Sequence, residues 1–191
     1  AIAVARSLGA EVIEDEVLVI KGIGPVGKPF GMKELHTGES GLLTRLMIPL
    51  MAMLNGEDIV ITGETTLINR PLKGANDIMA AFGVVLTNAA AREKSTKEIY
   101  IPAKVGGRLI PGKADISGKG GSQLISGLLM ALPLADSQSS IYISDPKSIP
   151  YMFITDDVLR KFGISLVNEM EGGEDFIETQ DWGLCTGMSF K

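Results

Sequence analysis

A pattern that recurs roughly every 80 residues constrains the fold of this chain more than any other feature. In three places a helical segment ends in a bulky residue followed by glycine, and a β-branched segment comes next; the glycines are Gly9, Gly83 and Gly163. Glycine adopts the left-handed conformation that stops a helix and redirects the chain into a strand. A Gly/Ser loop, an apolar helix and a short strand also recur, at 38–61 and at 120–143. Two patterns that recur with nearly the same period predict duplicated structural units.

The order of elements within one repeat is strand, helix, strand, helix, strand, strand. This order predicts an α/β (α+β) domain built from about three pseudo-symmetric βαβαββ units. Apolar helices are expected at 42–54 and 123–134, and a short strand directly after each repeated glycine. Other segments with strand character are Val17–Lys21, Glu98–Ala103, Ala114–Ser117 and Phe176–Gln180.

Both ends of the chain interrupt a unit. We therefore interpret residues 1–191 as a single domain, with an incomplete unit at each end, that belongs to a longer protein. Pro71 and Pro150 each follow a strand and a polar loop. Each is predicted to begin the next helix, because a residue in the first turn of a helix needs no N–H group.

The charge balance excludes two classes of function. The chain carries 18 Lys and Arg against 23 Asp and Glu, a net charge of −5, so it offers no basic surface to nucleic acid or to anionic lipid. The longest apolar runs, 46–54 and 128–135, reach about half of the roughly 20 residues that a membrane helix needs. We expect neither nucleic-acid nor membrane partners.

Cys185 and His36 are the only residues of their types in the sequence. A single cysteine cannot form a disulfide within the chain, and one cysteine with one histidine cannot supply a zinc site of the Cys/His type. These counts favour a reducing, cytoplasmic location and predict no metal. Neither residue has a nucleophile–base partner nearby in the sequence, so we assign no catalytic role to them.

Two glycine-rich segments are similar to nucleotide-binding motifs, but we interpret both as loops. Gly22–Gly27 has G-x-G-x-x-G spacing, yet Pro25 and Pro29 oppose the helix that this motif requires. Gly107–Ala114 approaches the P-loop pattern, yet Ala114 stands where a Ser or Thr hydroxyl must bind magnesium. No nucleotide site is predicted in either segment.

The segment Ser117–Gln123 places glycine-rich backbone directly before an apolar helix. Free N–H groups and the helix dipole favour a phosphate or carboxylate there, and Ser122 and Gln123 add side-chain donors. The simpler alternative is that Ser122 caps the helix with its own side chain. The equivalent loop one repeat earlier contains Gly41, and Arg45 lies one turn inside the helix that follows.

Arg70 and Ser148 precede the two prolines, at the remaining helix starts. Cations and hydroxyl groups thus recur at helix starts in each unit. Pseudo-symmetric units bring such starts together, so the sequence predicts one shared anion site. Arginine suits such a site because its fixed fork of donors matches a phosphate or a carboxylate.

Four segments, in the right order and spacing, resemble motifs of the 5-enolpyruvylshikimate-3-phosphate (EPSP) synthase family. Residues 117–131 contain a segment similar to the family's Gly-Ser-x-Ser-Ser-Gln-Phe, and residues 61–72 resemble its Thr-Gly-Glu and Glu-Arg-Pro-Ile. Residues 38–45 resemble its Gly-Asn-Ala-Gly-Thr-x-x-Arg loop, and residues 148–151 resemble its Ser-x-Pro-Tyr. The matches are spread over most of the chain.

The resemblance implies a fold of two domains, each of three βαβαββ units, with the active site in the cleft between them. It implies transfer of the enolpyruvyl group of phosphoenolpyruvate to the 5-hydroxyl of shikimate 3-phosphate, with release of phosphate and without metal or organic cofactor. The family's acid and base groups lie on the domain that is absent here. We therefore assign no catalytic residue to this chain and expect no turnover from it alone.

The resemblance also implies roles for individual residues. The residues expected to contact shikimate 3-phosphate are Ser122, Gln123, Ser148 and Tyr151. The residues expected to contact phosphoenolpyruvate are Arg70, Gln123 and Gly41, and Arg45 is expected to support the loop around Gly41.

Three positions depart from the family's motifs. Gly121 replaces the first of the paired serines, so one side-chain contact to the sugar phosphate is lost or passes to the backbone. Glu39 and Leu42 replace the usual Asn and Thr of the glycine loop, which changes the fit around phosphoenolpyruvate. We expect inhibitors that crowd Gly41 to bind poorly, and an inhibition curve on the longer enzyme tests this.

Three alternative functions remain open. The sister enzyme that transfers enolpyruvate to UDP-N-acetylglucosamine shares the fold, but it carries a reactive cysteine on a loop of this domain, whereas Cys185 lies in a terminal strand region. RNA 3′-phosphate cyclases have a related architecture, but the acidic composition and only 5% aromatic residues disfavour an RNA groove. A non-catalytic binding domain of the same fold predicts no ligand affinity at the site residues.

Overall fold

The computed structural model describes residues 1–24, 31–90, 98–174 and 181–191. Helices and strands alternate within these residues, as expected for an α/β fold. The helices are α1 (Ile2–Ser7), α2 (Gly41–Leu54), α3 (Ala75–Ala80), α4 (Gln123–Ala131) and α5 (Ile149–Lys161). The strands are β1 (Glu11–Glu14), β2 (Leu18–Lys21), β3 (Glu34–His36), β4 (Ile59–Thr62), β5 (Val85–Asn88), β6 (Ala103–Gly106), β7 (Lys113–Ser117), β8 (Ser140–Ser144), β9 (Asn168–Gly172) and β10 (Cys185–Phe190).

Two four-stranded sheets have the same topology. The first has the strand order β3-β4-β6-β5 and the second has the order β7-β8-β10-β9. In each sheet the first two strands are parallel, and every other neighbouring pair is antiparallel. Along the chain each sheet is built in the order strand, helix, strand, helix, strand, strand. The βαβαββ unit is therefore present twice in full.

Helix α1 and strands β1 and β2 repeat only the last part of this unit. The two strands form a separate antiparallel hairpin, in which Glu11 lies opposite Lys21. Every residue of β2 is exposed, including Leu18, Val19 and Ile20. That the domain contains a third complete unit remains a prediction.

Helices α2 and α4 pack against each other in the core. Both are apolar on nearly all sides, because a helix that is buried all round needs no polar face. Ile48 and Met51 of α2 and Ile125 of α4 are 0% exposed. A Cβ atom on Gly127 of α4 would lie only 2.6 Å from Cγ of Pro49 on α2, so a residue without a side chain allows the close approach of the helices.

The three repeated glycines have the predicted left-handed conformation. Their φ angles are +94° at Gly9, +75° at Gly83 and +82° at Gly163. Strands β1 and β5 begin two residues after the first two glycines. The strand predicted directly after Gly163 is wrong, because residues 164–167 form no strand and β9 begins only at Asn168.

The strand predicted at Glu98–Ala103 is also wrong. Strand β6 begins only at Ala103, where that prediction ended. Pro102 has no N–H group to donate to a sheet. The carbonyl of Ile99 accepts a hydrogen bond of 2.7 Å from Leu72 N, so this segment is tied to a loop and not to a strand.

One of the two predicted proline positions is confirmed. Pro150 lies in the first turn of α5. Pro71 does not begin a helix, because the chain first passes through Gly74, whose φ is +66°, and α3 begins at Ala75. The turn before α3 is closed by a hydrogen bond of 3.1 Å from Ala75 N to the carbonyl of Leu72.

Four further predicted segments differ in outcome. The helix predicted at 123–134 continues past the end of α4 only as the 3₁₀ turn Leu132–Leu134, which contains Pro133. Gly107–Ala114 leads into β7 without a helix, as the loop interpretation requires. The strand predicted at Phe176–Gln180 and the second half of the 22–27 motif lie outside the described residues.

Candidate functional site

Two loops at one edge of the second sheet carry the residues predicted to bind shikimate 3-phosphate. Strands β7 and β8 are parallel neighbours and end in register, so the loops that follow them leave the sheet side by side. The first loop leads to Ser122 and α4, and the second leads to Ser148 and α5. Within the first two turns of these helices, the hydroxyl of Thr155 donates to Ser126 Oγ at 2.9 Å. The starts of α4 and α5 therefore lie close together.

The hydroxyl of Ser122 does not cap α4, which overturns the simpler alternative for this residue. Its backbone is already helical (φ −81°, ψ −17°), whereas the equivalent Ser40 is extended (φ −85°, ψ 103°) and accepts from Leu43 N at 3.1 Å. Ser122 is 3% exposed. Among the described residues, the fully buried side-chain oxygen that lacks a hydrogen-bond partner is Asp156 Oδ1. The Ser122 hydroxyl also lacks a partner but is not fully buried. It therefore keeps some surface that a ligand is able to reach.

Ser148 has a left-handed backbone with φ +56° and ψ +40°. This conformation is unfavourable for a residue with a side chain, and such residues concentrate at functional sites. Tyr151, in the first turn of α5, is 64% exposed, and its N–H donates to the carbonyl of Ser148 at 3.1 Å. Gln123 is exposed at the first position of α4. Three of the four predicted residues thus present their side chains to solvent.

Arg45 joins the glycine loop to the segment that contains Arg70. Its Nη1 donates to the carbonyl of Gly41 at 3.0 Å, and its Nη2 donates to the carbonyl of Pro71 at 3.1 Å. A Cβ atom on Gly41 would lie 3.1 Å from the same Nη1, so the glycine leaves space for the guanidinium. Arg45 therefore connects the glycine loop to Pro71, which lies 26 residues after Arg45 in the sequence.

Arg70 is exposed, and no carboxylate of the described residues lies within 4.0 Å of its guanidinium. Burial lowers the pKa of Arg45, and the positive charge of Arg70 lowers it further. Arginine stays protonated in proteins, so both side chains remain cationic. Two neighbouring cations without a carboxylate partner for Arg70 create a local field that attracts an anion.

Two contacts bring this cationic group next to the loops of the second sheet. A Cβ atom on Gly127 would lie 3.0 Å from the carbonyl oxygen of Arg45, because α2 and α4 cross there. A Cβ atom on Gly120 would lie 3.0 Å from the carbonyl oxygen of Lys73. Helix α4 thus packs against the beginning of α2, and the loop before α4 lies against the segment that follows Arg70.

A cavity of about 380 Å³ lies beside this region, between the start of α3 and the end of β7. Lys73, Asp77, Ser117 and Lys119 are among the residues that line it. A larger cavity of about 610 Å³ lies at the other end of α4, and none of the predicted site residues lines either cavity. We place the candidate site at the helix starts, because ligands of α/β sheets bind beyond the carboxyl ends of the strands.

Gly121 has φ +97° and ψ +173°, a backbone conformation that is essentially restricted to glycine. A Cβ atom there would meet nothing within 4 Å, so the restriction comes from the backbone and not from crowding. The departure from the family's paired serines is thus tied to the shape of this loop.

The serine common in the family is expected to destabilise this chain when it is introduced as Gly121→Ser, by about 1–2 kcal/mol, because it strains the backbone. Urea unfolding followed by circular dichroism measures the change. Gly112→Ala is the matched control, since its Cβ meets nothing within 4 Å and its φ is not left-handed. The control is expected to stay within about 0.5 kcal/mol of the parent chain. Equal stability of Gly121→Ser and the parent would contradict this account.

The sequence did not indicate the contacts between the two loops. Gly118 packs against Pro146, and Lys119 Nζ lies 3.4 Å from Asp145 Oδ2. Only the glycine-rich composition of residues 117–121 signalled close backbone packing, and it did not identify the partner. No signal in the sequence joins Arg45 to Pro71.

Two further observations concern the described residues as a whole. They contain no cluster of three or more His, Cys, Asp or Glu side chains that is able to hold a metal ion. Each helix among them is too short or too polar to cross a lipid bilayer.

Comparison with known proteins identifies the family. The model of the family described as EPSP synthase (3-phosphoshikimate 1-carboxyvinyltransferase) matches residues 1–178. The chain belongs to the EPSP synthase family. The match includes every predicted site residue, and it agrees with the four motifs from which the resemblance was inferred. The EPSP synthase assignment also agrees with the mixed helix and strand architecture.

Curated relatives of this EPSP synthase chain are named 3-phosphoshikimate 1-carboxyvinyltransferase. The protein of Methanobrevibacter smithii is 31% identical over 170 residues, which are 87% of this chain and 37% of that protein. The protein of Clostridium kluyveri is 36% identical over 131 residues, which are 68% of this chain and 29% of that protein. The chain therefore spans about a third of the length of the relatives it matches.

A solved structure of EPSP synthase from Acinetobacter baumannii has the same fold. It superposes with a TM-score of 0.68 over 98% of this chain and 37% of that chain, at 20% sequence identity. The likeness confirms the fold class.

Proposed function

We propose that this chain forms the shikimate 3-phosphate-binding half of an enzyme that transfers the enolpyruvyl group of phosphoenolpyruvate to the 5-hydroxyl of shikimate 3-phosphate. The observation that carries the proposal is the EPSP synthase match over residues 1–178, which contains all the candidate site residues. The relatives are far longer than this chain. A second domain that closes over the site and supplies the acid and base groups is part of the proposal.

The binding geometry proposed for shikimate 3-phosphate uses two neighbouring helix starts. The phosphate meets the N-terminal end of α4, where the helix dipole and free N–H groups favour an anion. The hydroxyl of Ser122 and the amide of Gln123 donate to it from that end. Ser148 and Tyr151 contact the same ligand from the start of α5.

Phosphoenolpyruvate is proposed to bind beside Gly41 and Gln123, with Arg70 as its cationic partner. The Arg70 guanidinium carries paired donors for a phosphate or carboxylate, and it is free of carboxylates among the described residues. Arg45 fixes the carbonyl next to Arg70 through its bond to Pro71. The two sub-sites adjoin where Gly120 approaches Lys73.

The reaction consists of an addition and an elimination. The 5-hydroxyl gives up its proton to a base as its oxygen bonds to C2 of phosphoenolpyruvate, and C3 gains a proton from an acid, which gives a tetrahedral intermediate. The C2–O bond to phosphate then breaks and C3 loses a proton, which leaves the enol ether and inorganic phosphate. This chain's part is to bind and orient the substrates, which removes much of the entropic barrier. The chemistry needs no organic cofactor, and we propose a cytoplasmic location.

The decisive experiment is a titration of the isotopically labelled chain with shikimate 3-phosphate, followed by NMR. Saturable shifts are expected at Ser122, Gln123, Ser148 and Tyr151. UDP-N-acetylglucosamine is the control ligand and is expected to leave these resonances unchanged. Shifts from the nucleotide sugar would transfer the assignment to the sister enzyme. No shift from either ligand would contradict the idea that this half binds substrate by itself.

Turnover provides an independent check. The chain alone, given both substrates, is expected to release no phosphate above the buffer rate, because the acid and base groups for the proton transfers at C3 are proposed to lie on the second domain. A colorimetric phosphate assay measures this. Steady phosphate release by the purified chain would contradict the proposal that the second domain supplies the acid and base groups.

Two equivalent serines give a matched pair of variants. Ser40→Ala is expected to lower stability by about 1 kcal/mol, because Ser40 caps α2. Ser122→Ala is expected to change stability by less than about 0.5 kcal/mol, because its hydroxyl caps nothing, but to weaken shikimate 3-phosphate binding about tenfold. Urea unfolding and the NMR titration measure the two effects. A loss of stability in Ser122→Ala without weaker binding of shikimate 3-phosphate would show that Ser122 has a structural role only.

A further inference from the structure

We propose that Gly118 is a positioning residue, which sets the distance between the loop before α4 and the loop before α5 that shikimate 3-phosphate requires. The inference rests on the proposed function, because it concerns two parts of that binding site. Gly118 itself touches no substrate in this proposal.

Gly118 is buried where the two loops meet. A Cβ atom on it would lie 2.6 Å from Cα of Pro146 and 2.9 Å from the carbonyl oxygen of Asp145. Both atoms belong to the backbone of the loop that follows β8, so no rotation of a side chain relieves the contact. Any side chain at position 118 must therefore move one loop away from the other.

Contacts of Asp145 connect the second loop both to the sheet and to the first loop, so a clash between the loops is expected to displace residues of both. The N–H of Asp145 donates to the carbonyl of Thr186 on β10 at 2.9 Å. Asp145 has a left-handed backbone with φ +47°, and its carboxylate lies 3.4 Å from Lys119 Nζ on the first loop. The hydrogen bond and the backbone turn thus hold the second loop against its sheet, and the exposed ion pair connects it to the first loop.

The other complete unit contains the same kind of contact between its equivalent loops. A Cβ atom on Gly63, after β4, would lie 2.8 Å from the carbonyl oxygen of Gly38, after β3. The N–H of Glu64 also donates to that carbonyl at 3.1 Å. The glycine is on the second loop in this unit and on the first loop in the other. The backbone contact is therefore what the two units share.

The spacing matters because each loop carries half of the proposed contacts. Gly118 lies four residues before Ser122, and Pro146 lies two residues before Ser148. A ligand of fixed size that touches both loops loses affinity when one of them moves by the size of a methyl group, because its donors are no longer preorganised.

The test compares Gly118→Ala with Gly112→Ala, which adds the same methyl group where nothing lies within 4 Å. In the ligand-free chain, Gly118→Ala is expected to shift the amide resonances of Ser148 and Tyr151, and the control is not. Shikimate 3-phosphate is expected to bind at least tenfold more weakly to Gly118→Ala and within twofold of the parent to the control.

Asp145→Gly separates positioning from folding. It removes the ion pair and relieves the left-handed backbone, so stability is expected to stay the same or rise. Binding of shikimate 3-phosphate is expected to weaken by about threefold or more, because the second loop is held less tightly. A residue with only a structural role would change binding and stability in the same direction.

Unchanged affinity in a folded Gly118→Ala chain, or amide shifts confined to the first loop, would overturn the proposal. Parent-like binding by Asp145→Gly would do so as well, even if Gly118→Ala did not fold. Failure of the parent chain to bind shikimate 3-phosphate counts against the proposed function. In that case the amide shifts of the ligand-free variants still decide whether Gly118 couples the loops.

Discussion

Gly127→Leu is expected to destabilise the chain by more than about 3 kcal/mol, because it forces apart the two central helices. A Cβ atom on Gly127 would lie 2.6 Å from Pro49 Cγ, 2.9 Å from the carbonyl of Leu46 and 3.0 Å from that of Arg45. Two of these atoms are backbone atoms of α2, so the contact cannot be relieved by repacking side chains. Urea unfolding measures the loss.

The sign of the change in the free energy of unfolding caused by Gly127→Ala is a second test of this contact. Alanine normally stabilises a helix by about 1 kcal/mol relative to glycine. Here we expect a net destabilisation of about 1–2 kcal/mol, because overpacking outweighs the gain in helix propensity. Gly112→Leu is the control for steric bulk, since its Cβ meets nothing. A stabilised Gly127→Ala chain would show that α2 and α4 lie further apart than described.

Arg45→Met is expected to destabilise the chain by about 3 kcal/mol. The variant leaves the carbonyls of Gly41 and Pro71 without their charged donor, and hydrogen bonds to charged groups contribute about 1.5–3 kcal/mol each. Arg45→Lys keeps the charge but replaces the two guanidinium nitrogens, each of which bonds one carbonyl, by a single nitrogen. We therefore expect it to restore less than half of the loss.

Two measurements separate this prediction from a general loss of charge. Arg108→Met removes an exposed arginine and is expected to change the free energy of unfolding by less than about 0.5 kcal/mol. In the NMR spectrum, Arg45→Met is expected to shift the amide of Arg70, because Pro71 is no longer held. Equal effects of the two variants would show that Arg45 has no special structural role.

The order of elements could be predicted because its signals are local. The glycines that end helices with a left-handed backbone, Gly9, Gly83 and Gly163, can be identified directly in the sequence. Strand neighbours were not predictable in the same way, because β6 lies between β4 and β5 through contacts that are distant in sequence. Pro71 was misplaced because the turn that follows it depends on Gly74 and not on the proline.

The sequence was sufficient to predict that the candidate site residues lie at helix starts. It was not sufficient to predict which groups these residues contact. Ser122 and Ser40 occupy equivalent positions, yet only the extended backbone of Ser40 allows its side chain to cap a helix. Ser122 directly follows Gly121, whose φ is +97°. The bond from Arg45 to Pro71 joins residues from different elements, so neither periodicity nor a motif indicated it.

The hairpin of β1 and β2 has a consequence for how the chain opens. Its residues pack little of their apolar surface into the core, and a two-stranded sheet is at best marginally stable by itself. Its ties to the rest of the chain include the hydrogen bonds of Arg6 to Val12 and Glu14. Amide protons of β1 and β2 are therefore expected to exchange with solvent deuterium through local fraying, orders of magnitude faster than those of β4 and β8. A strand that pairs with the edge of β2 is expected to slow exchange in both strands of the hairpin.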